Sequence, residues 1–219
     1  MLARRQPDLT VAMENVHKTR NLGAIARTCD AVGIGRIHAI APANARVHVG
    51  HKAASGTEKW VEVQRHFSTS DAFAALRKAG FCIVAADVGC GTRDFREIDF
   101  VRPTALVLGS ELDGLSDTSI EAADVRVRIP LVGMVESLNV SVAVGVILYE
   151  AMRQRELAGC YSRRRIGDEE FSRKVFEWLH PRVAAYCRSH KLPYPPLDDE
   201  GEILEHVTEN RRDGFGALA

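Results

Sequence analysis

The stretch Thr104-Ala-Leu-Val-Leu-Gly-Ser-Glu-Leu-Asp-Gly-Leu115 decides the fold of this 219-residue chain. It starts as a short apolar run that breaks off at Gly109, a pattern typical of a central strand in a parallel sheet. Further strands are predicted at 36–41, 61–66, 81–86 and 125–129, and helices at 22–32, 70–78 and 137–155. Because helices alternate with short apolar strands, this order predicts an α/β domain with a mostly parallel sheet.

The composition excludes several classes of protein. Hydrophobic residues make up 46% and charged residues 26% of the chain, as in ordinary globular proteins. Lys and Arg together number 29, as do Asp and Glu, so any nucleic-acid partner must be met by a local basic patch. The chain has neither a run of ~18 apolar residues nor a leader-like start, which predicts a cytoplasmic protein without membrane association.

The order of elements also predicts three regions. Residues 1–16 are interpreted as an N-terminal extension and 17–158 as the α/β domain. Residues 159–219 are interpreted as a helical C-terminal extension, with one helix from 168 to about 189. The segment 192–203, LPYPPLDDEGEI, is too rich in proline for a helix or a central strand.

Two patterns that suggest a bound ligand are weak. The pairs Gly33-x-Gly35 and Gly89-x-Gly91 lack the third glycine of a dinucleotide-binding loop, because His38 and Asp94 occupy that position, and both are interpreted as turns. The five cysteines are odd in number and form no C-x-x-C pair, which favours reduced thiols over a disulfide framework or a metal site.

Three other segments are stronger candidates for a functional site. In the first, Asn21 is predicted to cap a helix on which Arg27 lies off the apolar stripe, although a surface arginine explains Arg27 equally well. In the second, the strand ending at Leu108 runs into Gly-Ser-Glu111, where ligands of open α/β sheets bind. In the third, a glycine-containing loop after Ile129 leads through Ser137-Leu-Asn139 into a long helix.

Together and in this order, the three segments resemble motifs one to three of the SPOUT superfamily of RNA methyltransferases. They are most similar to the tRNA guanosine-18 2′-O-methyltransferase family. The stretches LARRQPDLTV, DFREIDFVRPT, GMVESLNVSVA and LPYPPL extend the resemblance over nearly the whole chain. Relatives carry a further stretch before MLARR, which leaves open whether the native start lies upstream of Met1.

The resemblance implies a SPOUT-type domain with a deep trefoil knot in its C-terminal part and a homodimer whose interface includes the helix after Asn139. It implies methyl transfer from S-adenosylmethionine to the ribose 2′-hydroxyl of guanosine 18 in the D-loop of tRNA, with no metal and no partner protein. Two alternatives stay open. One is a related 2′-O-methyltransferase acting on rRNA or another tRNA position, and the other is a non-catalytic RNA-binding dimer.

The resemblance also assigns roles to individual residues. Arg27 is the central catalytic residue, either as a base or as a cation that clamps phosphate and the developing oxyanion. The remaining catalytic residues are Asn21, Glu111, Ser137 and Asn139, and the cofactor-binding residues are Ala86, Leu108, Gly109, Ile129 and Leu138. Candidate RNA-binding residues are Arg4, Arg5, Lys18, Arg20, Arg163, Arg164 and Arg165, with Arg153 and Arg155 in the same basic region.

Overall fold

A computed structural model of the chain describes residues 1–16, 18–42 and 56–204. The chain divides into two compact units. The first contains Met1 and Ala3–Arg165, and the second contains Leu2 and Ile166–Ala219. Among the described residues, no helix is both long enough and apolar enough to span a bilayer.

The first unit is built on a parallel sheet, which confirms the predicted α/β class. Its strands are Leu9–Glu14 (β1), Arg36–Ile40 (β2), Glu62–His66 (β3), Cys82–Ala86 (β4), Arg93–Asp94 (β5), Thr104–Leu108 (β6) and Val125–Arg128 (β7). Within the described part of the chain they are ordered β3-β2-β1-β6-β4-β7-β5, and every pairing is parallel. As predicted, β6 lies inside the sheet and is buried along its whole length.

Strand β1 was missed by the sequence analysis, which placed it in an N-terminal extension. Leu9–Glu14 instead pairs with both β2 and β6, and all of its residues are buried. In the sequence LTVAME the apolar Leu9, Val11 and Met13 alternate with Thr10, Ala12 and Glu14, a period-two pattern that the interpretation as an extension did not use. The interpretation of residues 1–16 as an extension is therefore wrong for residues 9–14.

Among the described residues, four helices cover the two faces of this sheet. Helices α1 (Thr19–Ala31) and α4 (Val140–Leu157) share one hydrophobic core with it, and α2 (Thr69–Lys78) and α3 (Asp117–Ala122) pack on the opposite face. The apolar stripes predicted for α1 and α4 are confirmed, because their members are buried: Leu22, Ile25, Cys29 and Val32, and Val140, Val144, Ile147, Leu148 and Ala151.

Gly33 ends α1, as predicted for a turn glycine. Its φ of +88° lies in the left-handed region that favours glycine. The Gly33 N–H donates to the Asp30 carbonyl at 3.0 Å, and the Ile34 N–H donates to the Cys29 carbonyl at 2.8 Å. This pair of bonds is a Schellman motif, which satisfies two of the last carbonyl groups of the helix.

Over residues 168–189 of the second unit, the structure has two helices where the sequence predicted one. Helix α5 spans Asp168–Leu179 and α6 spans Pro181–Ser189. Proline has no N–H to continue the ladder of α5, but it fits the first position of a new helix. Phe176 of α5 stacks on Tyr194 with ring centroids 4.6 Å apart, so the proline-rich segment packs against this helix. Residues 205–219 of the predicted extension lie outside the described residues.

Candidate active site

The candidate site lies at the carboxyl ends of the strands, which meet at one edge of a parallel sheet. The register places Met13 beside Leu108, so β1 and β6 end next to each other. From this edge the chain continues into α1, into the loop 109–116 after β6 (the Glu111 loop), and into the loop 129–139 after β7. The three motif segments therefore begin at the same edge of the sheet.

The carboxylate of Glu111 joins these three segments. The side-chain amides of Asn21 and Asn139 both donate to Oε1 of Glu111, Asn139 from 2.8 Å. The ammonium group of Lys18 forms an ion pair with Oε2. We call Lys18, Asn21, Glu111 and Asn139 the Glu111 cluster. Its members come from positions up to 121 residues apart, yet they are held by one side chain.

Asn21 does not cap α1, which corrects the sequence interpretation. The helix begins at Thr19 after Lys18, so Asn21 lies inside its first turn. Its side chain is 7% exposed and turns to Glu111 instead of to the helix N–H groups. A cap residue must lie just before the helix, and the two residues preceding Asn21 have already adopted helical geometry.

Asn139 has the capping role that was predicted for Asn21. Its Oδ1 accepts hydrogen bonds from the N–H of Ser141 at 3.0 Å and from the hydroxyl of Ser141 at 2.6 Å. Helix α4 therefore begins at Val140, and not at Ser137 as the sequence predicted. Because the oxygen of the amide faces the helix, its nitrogen is the atom presented to Glu111.

Two predicted catalytic residues do not touch this cluster. Arg27 is exposed on α1, and among the described residues its guanidinium has no hydrogen bond or ion pair. Ser137 is exposed in the loop before α4 and likewise has no hydrogen-bond partner within the described ranges. The structure thus brings together Asn21, Glu111 and Asn139, and within its described part it gives the donors of Arg27 no partner.

The surroundings of Glu111 stabilise its charged form. The hydrogen bond from Lys18 lowers the pKa of Glu111 against the opposing effect of burial, and those from Asn21 and Asn139 lower it further. A carboxylate with a lowered pKa is a weak base and accepts hydrogen bonds through both oxygens. Glu111 is therefore suited to hold neighbouring side chains in place rather than to remove a proton from a substrate.

The residues predicted to bind a cofactor lie at the same edge of the sheet. Ala86 is the last residue of β4, Leu108 is the last of β6, and Ile129 follows β7. Leu108 is buried, whereas Ala86, Ile129 and Leu138 are half-buried. Apolar side chains are thus partly uncovered where three neighbouring strands end.

Gly109 is required by the Glu111 loop itself. Ser110 and Gly114 exchange backbone hydrogen bonds of 3.0 and 3.1 Å, which closes the loop on itself. A Cβ at position 109 would overlap the backbone of Gly114 and Leu115. The packing of the loop is therefore sufficient to require a glycine at this position.

Several of the predicted RNA-binding arginines are part of the protein interior. Arg5 is 5% exposed, donates to the Ile34 carbonyl at 2.7 Å and pairs with Asp30 at 2.5 Å. Arg165 pairs with Asp8 at 2.7 Å, and Arg155 is fully buried against the same carboxylate. Burial argues against an RNA contact for Arg5 and Arg155, whereas Arg165 is half-buried and its RNA contact stays a prediction. Exposed positions are Arg4, Lys18, Arg20, Arg163 and Arg164.

Sequence reasoning missed Glu14, the last residue of β1. Its side chain is 4% exposed and lies among hydroxyl groups beside the Glu111 loop. The available signal was a single carboxylate at the end of a mostly apolar stretch.

No three His, Cys, Asp or Glu side chains of the described residues converge in a way that could hold a metal ion.

Comparisons with known proteins identify the family. The model of the SpoU rRNA Methylase family matches residues 8–149, and the model of the SpoU rRNA methylase C-terminal region matches residues 153–206. The tRNA (guanosine(18)-2′-O)-methyltransferase of Escherichia coli K12 is 46% identical over 205 residues, which cover 93% of this chain and 89% of that protein.

Two solved structures are similar to this fold. The A. aeolicus TrmH/SpoU tRNA modifying enzyme has a TM-score of 0.78 and 40% identity, covering 83% of this chain and 92% of that one. An AdoMet-bound rRNA methyltransferase from Sinorhizobium meliloti has a TM-score of 0.61 and 31% identity, covering 68% and 61%. The resemblance found in the three sequence segments is thereby confirmed, and the chain belongs to the SpoU methylase family.

Proposed function

We propose that this protein transfers a methyl group from S-adenosylmethionine to the ribose 2′-hydroxyl of guanosine 18 in the D-loop of tRNA. The observation that carries the proposal is the Glu111 cluster, in which one carboxylate holds residues of all three motifs. Similarity along nearly the whole chain to an enzyme named for this reaction supports the same substrate.

The edge formed by β4, β6 and β7 fits the cofactor. When bound, S-adenosylmethionine supplies an electrophilic methyl group. Half-buried Ala86, Ile129 and Leu138 offer apolar contact to its adenosyl part, and the backbone at Leu108 and Gly109 offers hydrogen-bonding groups. The cofactor-bound relative from S. meliloti supports this assignment.

Arg27 is the residue we assign to the reacting ribose. A guanidinium has five N–H donors in a planar fork, and those of Arg27 are without partners among the described residues. Such a group can hold the neighbouring phosphate and stabilise negative charge that develops on the 2′-oxygen. Its role as a base activated by the substrate phosphate is the alternative. The Glu111 cluster fixes the first turn of the same helix, which sets the direction in which Arg27 projects.

The net charge of the chain is zero, so we assign tRNA binding to a patch of exposed basic side chains. Lys18 is 68% exposed although it pairs with Glu111, so an incoming phosphate can compete for its ammonium group. Exposed Arg20 lies on the same helix as Arg27. Arg4, Arg163 and Arg164 supply further exposed positive charge in the first unit.

A homodimer is part of the proposal, and α4 is its assigned interface. Val142, Val146 and Tyr149 are 50%, 38% and 57% exposed, opposite the buried stripe of this helix. Their spacing places them on one face, and an exposed apolar face is typical of a protein–protein contact. We assign this face to a second copy of the chain.

The proposal also includes a deep trefoil knot and a cytoplasmic location. Both are supported by the similarity to the SpoU enzymes.

The test is methyl transfer to a defined RNA. The protein is incubated with labelled S-adenosylmethionine and a tRNA transcript, and the methylated nucleotide is mapped. We expect label at guanosine 18 and none in a matched transcript that carries 2′-deoxyguanosine there. Label in an rRNA fragment or at another tRNA position would replace the substrate, and tRNA binding without transfer would favour a non-catalytic protein.

A further inference from the structure

Glu14 is a buried carboxylate whose two oxygens are both fully used. Oε1 accepts hydrogen bonds from the hydroxyls of Thr69 and Ser116, each at 2.7 Å. Oε2 accepts from the N–H of Ser116 at 2.9 Å and from the hydroxyl of Ser119 at 2.8 Å. Glu14 therefore connects the end of β1 to the first residue of α2 and to the start of α3.

These bonds keep Glu14 charged although no cation pairs with it among the described residues. Burial acts to raise its pKa, but the Ser116 N–H and the three hydroxyls lower it by more, so the net pKa is below its ordinary value. A carboxylate has four lone-pair sites, and here each has a donor. A neutral amide of the same shape removes the negative charge, and it fits only if the hydroxyls of Thr69 and Ser116 turn from donors to acceptors for its NH₂ group.

The same carboxylate fixes one end of the Glu111 loop. The loop is closed on itself by the Ser110–Gly114 pair, and the Ser110 hydroxyl accepts from the N–H of Asp113 at 2.9 Å. Ser116 ends the loop, caps α3 by accepting from the N–H of Ser119 at 3.2 Å, and binds Glu14 through both its N–H and its hydroxyl. A rigid loop held at its end has little freedom to move Glu111.

Glu14 also precedes the segment that leads to the rest of the cluster. Four residues after it, Lys18 begins the turn into α1 and contacts Glu111. The two sides of the cluster, α1 and the Glu111 loop, thus meet at the end of β1. From this geometry we infer that Glu14 is a positioning residue for the methyl transfer, which acts by holding the Glu111 loop in register with α1. The inference rests on the proposed function for its effect on catalysis.

The experiment compares Glu14→Gln with Glu62→Gln, alone and combined with Glu111→Gln. Glu62 is the matched control, because it is a carboxylate of the same sheet that pairs with Arg36 at 3.2 Å on the exposed edge. For each variant, kcat and KM are measured with a tRNA transcript, the Kd of S-adenosylhomocysteine by calorimetry, and Tm by circular dichroism.

We expect Glu14→Gln to lower kcat about tenfold or more, with KM and Kd within about twofold of the parent. If Glu14 acts through Glu111, the same change in the Glu111→Gln background lowers kcat by less than about twofold. Glu62→Gln leaves kcat unchanged in both backgrounds. An equal loss of kcat in both backgrounds, or no loss in either, overturns the positioning role.

Amide hydrogen exchange separates this inference from the proposed function. In Glu14→Gln the N–H groups of residues 114–116 should exchange about tenfold faster or more, while those of β6 stay protected. Unchanged exchange contradicts the anchoring of the loop, even if the protein methylates no tRNA at all. If Glu14→Gln does not fold, Ser119→Ala removes a single donor and is expected to shift both kcat and loop exchange in the same direction. No shift in either overturns the inference.

Discussion

Removing the carboxylate of Glu111 should destabilise the protein chiefly through Asn21. In Glu111→Ala the buried amide of Asn21, 7% exposed, loses its acceptor. A buried donor left without a partner costs ~1–3 kcal/mol, whereas the pair with Lys18, whose side chain is 68% exposed, contributes at most ~1 kcal/mol. Asn139 is exposed and keeps its bonds to Ser141, so its share is small. We expect a total loss of about 1–3 kcal/mol.

A double-mutant cycle measures this interaction directly. Urea unfolding of Glu111→Ala, Asn21→Ala and the double variant should give a coupling free energy of about 1 kcal/mol or more. The cycle of Glu111→Ala with Asn139→Ala should give less. Because the folded-state pKa of Glu111 is lowered, the coupling is present above its ordinary pKa and is lost as the pH falls through the folded value. Additivity within ~0.3–0.5 kcal/mol at pH 7 would refute the reasoning.

Three further predictions concern single positions. Arg27→Ala should abolish methyl transfer while changing the free energy of unfolding by less than ~0.5 kcal/mol in urea, because the side chain is exposed, and full activity would remove Arg27 from the site. His38 is buried, and its Nδ1 lies 2.9 Å from Nε2 of His66. Burial lowers the pKa of His38 to about 4. Its protonation in the unfolded chain should therefore make the fold about 2 kcal/mol less stable at pH 5 than at pH 7. An NMR titration midpoint near ~6.5 for the His38 ring would contradict this. Gly109→Ala should lower Tm and activity together because of the overlap with the backbone of Gly114. Gly167→Ala, where a Cβ has no described atom within 4 Å, should leave activity unchanged and lower Tm only slightly, because alanine is a poorer N-cap than glycine.

Local patterns were enough for much of the fold. The apolar run of β6 and the helical stripes of α1 and α4 follow from period and burial, which neighbouring residues determine among themselves. The same holds for Gly33, whose left-handed conformation is a local requirement of the helix end. The family could be recognised for a similar reason, since each of its motifs is a short contiguous stretch.

The candidate site was predictable as a set of segments but not as a set of contacts. Nothing local to Asn21 distinguishes a helix cap from a donor to Glu111, 90 positions away. Likewise, the side chain of Arg5 is buried because it pairs with Asp30 at the far end of α1. These choices are made by the order β1-β6-β4-β7, which brings the ends of distant strands to one edge.

The sequence by itself therefore determined the class of the fold, the family and the segments that carry the chemistry. Tertiary structure decided which polar groups satisfy one another. Glu14 illustrates the reason: a buried carboxylate is stable when donors surround it, and its donors come from Thr69, Ser116 and Ser119 on two other helices. These hydrogen bonds form when the chain folds, because the donors that offset the cost of burying the charge lie far from Glu14 in the sequence.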